Sequence, residues 1–263
     1  MHVSTARTTP GVWRPAIAAG IAGACASMAV LPYAVDLSPG LLTRISLPLS
    51  VFLGLQCLQA LALFTFLGWA GCRLAHAAGL DAWDRWRPDS KDGAARSAAV
   101  ALPGTGLAMS IAAGCVTGLT LLALATLTEP FMPAAASASL PRIALWKRLA
   151  ASLYGGIAEE LMCRLFLMSL LVWLARRFLV HREALTADVA WTGIVGAAIL
   201  FGIGHLPAAA AQWTLTPAVV VRIVMLNAAG GIVFGWLYWR RGLAHAMVAH
   251  FFADIVLHGI GGH

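Results

Sequence analysis

Seven ionisable side chains lie in stretches that otherwise offer almost only apolar neighbours: Glu159, Glu160, Arg164, His205, His245, His250 and Asp254. In a segment that spans a bilayer, a charge costs roughly 2.5–3.5 kcal/mol, so such groups usually pair and mark a pathway or a reaction site. Their spacing sorts them. Glu160 and Arg164 stand at i and i+4 on one helix face, where the guanidinium can neutralise that carboxylate. Glu159 is turned by about 100° from its neighbour, so its own carboxylate stays available. His250 and Asp254 are again at i and i+4, which suits a carboxylate orienting an imidazole or two ligands on one face. Phe201 precedes His205 by one turn, and Pro207 follows it by two residues. His245 is off the His250 face and reads as structural or interfacial. His258, one turn beyond Asp254, reads as an interfacial residue. What remains is one held glutamate, one available glutamate and two imidazoles, material for proton transfer or for ligating an ion.

The elements that must position these groups follow from composition. Of 263 residues, 60% are hydrophobic and 11% charged, against roughly 45–50% and 25% in an ordinary soluble domain. A mean hydropathy of +0.81 excludes both a disordered chain and a water-soluble globule. The fold class is all-α, a polytopic transmembrane helix bundle. At about 20 residues per span, the chain has room for six to eight helices. The net charge of +7 comes from basic residues scattered in short groups between apolar runs, which excludes a nucleic-acid surface. Cys25, Cys57, Cys72, Cys115 and Cys163 lack paired CxxC spacing and read as small buried hydrophobes.

Seven apolar runs are predicted: 16–35, 47–71, 98–127, 145–174, 189–211, 218–239 and 243–260. The first reads as an uncleaved signal anchor, because many spans follow it. Between the second and third, Trp83, Trp86 and the mixed charges from Asp81 to Arg96 read as an interfacial loop. Pro130, Pro133 and Pro141 precede the basic start of the fourth run at Arg142, Lys147 and Arg148, and Arg176 and Arg177 stop it. That run exceeds one straight span, so part of it lies along the interface or the helix bends near Gly155 and Gly156. With the N-terminus in the cytoplasm, twelve of the eighteen Lys and Arg residues fall on the cytoplasmic side, as the positive-inside rule favours. Trp69, Trp173, Trp213, Trp236, Tyr238 and Trp239 read as an aromatic belt.

Three spans carry motifs in a fixed order. Glu159-Glu160-Leu-Met-Cys-Arg164 fits EExxxR, Phe201-Gly-Ile-Gly-His205 fits FxxxH, and His250-Phe-Phe-Ala-Asp254 fits HxxxN/D. This resembles the CPBP family of intramembrane proteases, which includes the type II CAAX prenyl endopeptidases and bacterial proteins linked to bacteriocin immunity. The resemblance covers about residues 144–260, so residues 1–141 are expected to form an N-terminal three-span region and 142–263 a protease core of about four spans. It implies an intramembrane endopeptidase acting on membrane-associated or lipid-modified substrates. Glu159 is then the general base that activates water, His205, His250 and Asp254 complete the site, and Glu160 with Arg164 support it. Asp254 stands where the eukaryotic enzymes more often carry asparagine; an ionised aspartate cannot donate a hydrogen bond, so a ligand or His-orienting role fits it better. The resemblance also implies a metal, Zn²⁺, held by Glu159, His205, His250 and Asp254. Two histidines with carboxylates can leave a position open for water, and the metal would lower that water's pKa toward about 7. A metal-free glutamate mechanism is the alternative.

The expected partners are the bilayer and a peptide or membrane-protein substrate. The expected location is a bacterial inner membrane, since the Ala- and Arg-rich composition hints at a GC-rich genome. A second class of function uses the same cluster differently, in a non-enzymatic immunity factor or a proton-coupled transporter. Against the transporter, the sequence shows no inverted repeat and no paired half-spans.

Overall fold

Apolar runs of about 20 residues must satisfy every backbone N–H and C=O internally if they cross a bilayer, and helices do so within one segment. The computed structural model describes residues 11–38, 40, 42–80, 104–133, 143–180 and 185–260, and all regular structure among them is helical. Arg7, the 81–96 loop with Trp83 and Trp86, the start of the third run, Pro141 and Arg142 lie outside the described residues.

The helices are α1 (Trp13–Leu37), α2 (Leu49–Ala78) and α3 (Gly104–Thr128). Next comes a continuous helical rod, α4, over 145–180. Then follow α5 (Ala187–Gly204), the short α6 (Leu206–Ala210), α7 (Pro217–Arg241) and α8 (Leu243–Ile260). Six segments are long and apolar enough to cross a membrane: α1, α2, α3 extended to Phe131, α5 with α6, α7 and α8. The charged rod α4 runs among them, packed against α1, α2, α5, α7 and α8. The molecule is an integral membrane protein. Leu55, Leu58, Phe66, Val116, Leu119 and Val221 all point outward, an apolar periphery that suits lipid contact. Inside, small residues let helices approach closely, as where Ala16, Ala19, Gly20 and Gly23 of α1 are buried against α2.

Cross-helix contacts fix the alternation of direction. The end of α1 meets the start of α4 through Asp36 and Lys147, 2.7 Å apart. The end of α2 is capped late in α4 by Arg176, whose Nη1 donates to the Ala77 carbonyl at 3.0 Å. Near the end of α3, Glu129 pairs with Arg222 of α7 at 3.0 Å. Ser110 of α3 and His245 of α8 are hydrogen-bonded at 2.7 Å, which gives His245 the structural role its position suggests. Gly242, at φ +96°, makes the one-residue reversal between α7 and α8 that a side chain would strain.

Several expectations change: Cys25 and Cys57 are exposed, not buried, and the fourth run is not among the six helices long and apolar enough to cross a membrane. Arg176 and Arg177 do not stop the fourth helix, which continues to Val180. Positive charge near a helix C-terminus is favourable, and Arg176 is held there by α2. Tyr238 is not part of an interfacial belt: it is 2% exposed, and its hydroxyl shares a 2.8 Å hydrogen bond with Ser169 of α4.

Candidate active site

Glu159 and Glu160 sit where α4 departs from regular α-helix. After Leu145–Leu153 the chain winds through wider π turns at Tyr154–Glu159 and again at Leu161–Met168. Such turns recur at functional sites. Gly155 lies against α8, where a methyl group would run into the Asp254 carboxylate and stand 3.3 Å from His250 Nε2. The glycine is what lets the two motif-bearing helices meet here.

Glu160 is fully buried, and its Oε1 has two cationic or donor neighbours. Arg164 Nη1 lies 2.8 Å away, close enough for charge pairing though not aligned as a hydrogen bond. His250 Nδ1 lies 2.7 Å away. Because the carboxylate is paired with a guanidinium, it acts as acceptor and Nδ1 carries the proton. Arg164 is 2% exposed. Its guanidinium lies over Phe201 and Phe234, 5.0 and 5.4 Å from the ring centroids, and Nη2 donates to the Gly231 carbonyl at 3.3 Å. Phe234 also stacks on His250 at 4.4 Å. One ion pair and two aromatic rings therefore fix the imidazole.

His205 is held by a different device. It follows the last residue of α5, and Pro207 stands in the first turn of α6. The His205 backbone N–H bonds to the Gly202 carbonyl at 3.2 Å instead of continuing the i−4 ladder. The Phe201 carbonyl is thus left to accept from the ring Nδ1 at 2.8 Å. A carbonyl can only accept, so His205 too carries its proton on Nδ1, and neutral rings present Nε2 as a bare acceptor.

Both Nε2 atoms turn to Glu159. His205 Nε2 is 3.8 Å from Oε1 and His250 Nε2 is 3.7 Å from Oε2. Asp254 Oδ1 is 3.7 Å from His250 Nε2. These separations exceed direct hydrogen-bond reach and suit a water between the groups. The Glu159 side chain is 18% exposed and that of His205 33%, whereas Glu160 is sealed. The fold thus brings together Glu159, Glu160, Arg164, His205, His250 and Asp254 from α4, α5 and α8. The carboxylate that orients His250 is Glu160, not Asp254, which lies on the other side of the ring. Phe234 has no signal in the sequence beyond being one aromatic residue in an apolar run. His258 is apart from the cluster, its ring 5.8 Å from that of Tyr33. Among the described residues no group of three or more His, Cys, Asp or Glu side chains stands where it could hold one metal ion. As the side chains are placed they do not fit the implied Zn²⁺ set.

The arrangement offers an available carboxylate flanked by two fixed imidazoles, with a fourth polar group beside them. It is suited to moving a proton and to stabilising charge on a polar substrate inside an apolar bundle. Residues 141–256 match a family model described as type II CAAX prenyl endopeptidase Rce1-like. No curated protein and no solved structure gave a match to the chain.

Proposed function

Because residues 141–256 match the family model of Rce1-like type II CAAX prenyl endopeptidases, we propose that the protein is an intramembrane endopeptidase in which Glu159 activates the attacking water. The observation that carries this is the convergence of Glu159, His205 and His250 from three helices, with Nε2-to-carboxylate distances of 3.8 and 3.7 Å. Water held between these groups gives a proton to Glu159 as its oxygen attacks the carbonyl carbon of the scissile bond. Catalysis of this kind contributes about 10²–10⁴-fold. The carbonyl oxygen gains negative charge, which His205 or His250 stabilises when its ring enters the reaction as an imidazolium, Nδ1–H held by its protein acceptor and Nε2–H donating to the oxygen. As the C–N bond breaks, Glu159 returns its proton to the departing amine, leaving a new carboxyl group and a free amine. Glu160 and Arg164 act through His250, holding its ring in one tautomer and one orientation. Asp254 lies beside Gly155 where it can meet the substrate or the water.

Substrates are proposed to be membrane-associated or lipid-modified chains, because the site lies among spans that only a peptide at or in the bilayer can reach. The test uses the purified protein in proteoliposomes with an S-farnesylated Cys-a-a-X peptide and, separately, an unlipidated transmembrane peptide. Mass spectrometry reads new termini. Cleavage of at least one peptide by wild type, lost in Glu159→Gln and His250→Ala, is expected. Cleavage that survives both substitutions at the wild-type rate would sink the assignment.

A further inference from the structure

Away from the glutamates and histidines, α1 and α2 enclose a groove of about 470 Å³ on the outside of the bundle. Its floor and one wall are a single stripe of α2, made by Leu58, Leu61, Ala62, Phe66 and Trp69, at the three- and four-residue spacings that keep side chains on one helix face. Leu58 and Phe66 are 62% and 55% exposed, so the groove opens toward the lipid. Trp13 of α1 closes one end, its indole stacked on Trp69 with centroids 6.3 Å apart. Phe66 leans on the same indole at 6.1 Å.

The aromatic end is also the basic end. Arg73 lies one turn beyond Trp69 and rests its guanidinium over that ring, 5.4 Å from the centroid. Arg14 directly follows Trp13 and is exposed. The 25-residue α1 also begins here, with no acidic residue in its first turn, and adds the partial positive charge of a helix start.

The dimensions match one lipid leaflet. The eleven steps from residue 58 to residue 69 cover roughly 16 Å of helix, against about 15 Å for half of a hydrocarbon core about 30 Å thick. An acyl chain lying along the stripe puts its glycerol at the level of the tryptophan pair, where indoles favour the interface. Its phosphate then stands about one turn further on, beside Arg73. A guanidinium takes phosphate oxygens through two parallel N–H donors. A choline headgroup would instead bring another cation to the two arginines, and Arg73 already covers a face of Trp69 that could cradle it.

We propose that the groove between α1 and α2 binds one anionic phospholipid, its acyl chain along residues 58–69 and its phosphate held by Arg73 and Arg14. The site is built by α1 and α2 and does not depend on the hydrolytic function proposed above.

The test reads lipid binding. Wild-type protein purified in dodecyl maltoside and stripped of lipid is titrated with palmitoyl-oleoyl phosphatidylglycerol and, separately, with phosphatidylcholine of the same chains, and bound lipid is counted by native mass spectrometry. Phosphatidylglycerol is expected to fill one site at least about tenfold more tightly, the scale of two basic side chains acting on an anionic lipid. Arg73→Gln is expected to cut that preference to under about threefold, and Arg73→Lys to keep part of it. Ala62→Phe, which fills the groove at an exposed position, should weaken both lipids. Arg240→Gln removes a guanidinium stacked on Trp239 at 5.2 Å, on α7 outside the groove, and should leave the preference unchanged. Equal affinities for the two lipids, no binding of either, an Arg240→Gln effect as large as that of Arg73→Gln, or wild-type binding by Ala62→Phe would overturn the proposal. Displacement of phosphatidylglycerol by inorganic phosphate would assign Arg73 to a free anion, and displacement by an S-farnesylated peptide would assign the groove to a prenyl chain; either result overturns it too.

Discussion

Replacing Arg164 by methionine removes the guanidinium that faces Glu160. The side chains are 2% and 0% exposed, which puts the pair in the buried regime, where losing one partner costs about 3–5 kcal/mol because the other charge is stranded. The guanidinium also leaves the faces of Phe201 and Phe234, contacts worth about 1–2 kcal/mol where desolvated. Glu160→Gln keeps the shape and an acceptor for His250 but strands the guanidinium instead, at a similar cost. The double variant, with neither charge, is expected to recover about 2–3 kcal/mol relative to the sum of the singles, the scale of coupling for residues in contact. Unfolding of the purified protein in bicelles, followed by tryptophan fluorescence against added SDS, gives the four free energies of the cycle. If Arg164→Met costs under about 1 kcal/mol, or if the two substitutions are additive within about 0.5 kcal/mol, the buried pair is not what holds this corner of the site.

Gly155→Ala is expected to lower cleavage at least about tenfold, because its methyl group pushes α4 away from Asp254 and a displacement near 1 Å can cost on the order of 10² in rate. Gly204→Ala, with nothing within 4 Å of the added carbon, should leave the rate unchanged, and the two are compared in the same peptide assay. Tyr238→Phe should destabilise the bundle by about 1 kcal/mol through loss of the buried bond to Ser169 without altering KM; an equal fall in kcat/KM would show that α7 couples to the chemistry. The proposed topology, with the N-terminus in the cytoplasm and α4 crossing beside the six candidate spans, predicts that alkaline phosphatase fused after residue 212 is active and after residue 182 inactive. The reverse pattern would invert the orientation.

The sequence made legible whatever depends on neighbours along one helix. The Glu160–Arg164 pair and the shared face of His250 and Asp254 are local i, i+4 relations, and both stand in the structure. Six of the seven predicted runs meet helices long and apolar enough to cross a membrane, close to their predicted positions, because length and hydropathy set them; the fourth run, with its charges, is not among the six. What stayed hidden depends on contacts between helices distant in the chain. Whether Glu160 or Asp254 orients His250 turns on how α4 faces α8, and no spacing within either helix decides it. Phe234 meets Arg164 and His250 only after α7 docks. Tyr238 looks interfacial near the end of its helix, yet α4 offers Ser169 to its hydroxyl and draws it inside. The π turns at Tyr154–Glu159 lie where Gly155 and Gly156 meet α8, a contact that the two glycines alone do not specify.

The central claim is that Glu159 activates water for peptide hydrolysis. It is tested most directly by incubating the reconstituted protein and its Glu159→Gln variant with a cleaved peptide in ¹⁸O-labelled water, and by following the isotope into the new carboxyl group. One labelled oxygen per cut is predicted for the wild type, with a rate at least about 10²-fold lower in the variant at similar peptide affinity. Incorporation by Glu159→Gln at a rate close to that of the wild type would contradict the account.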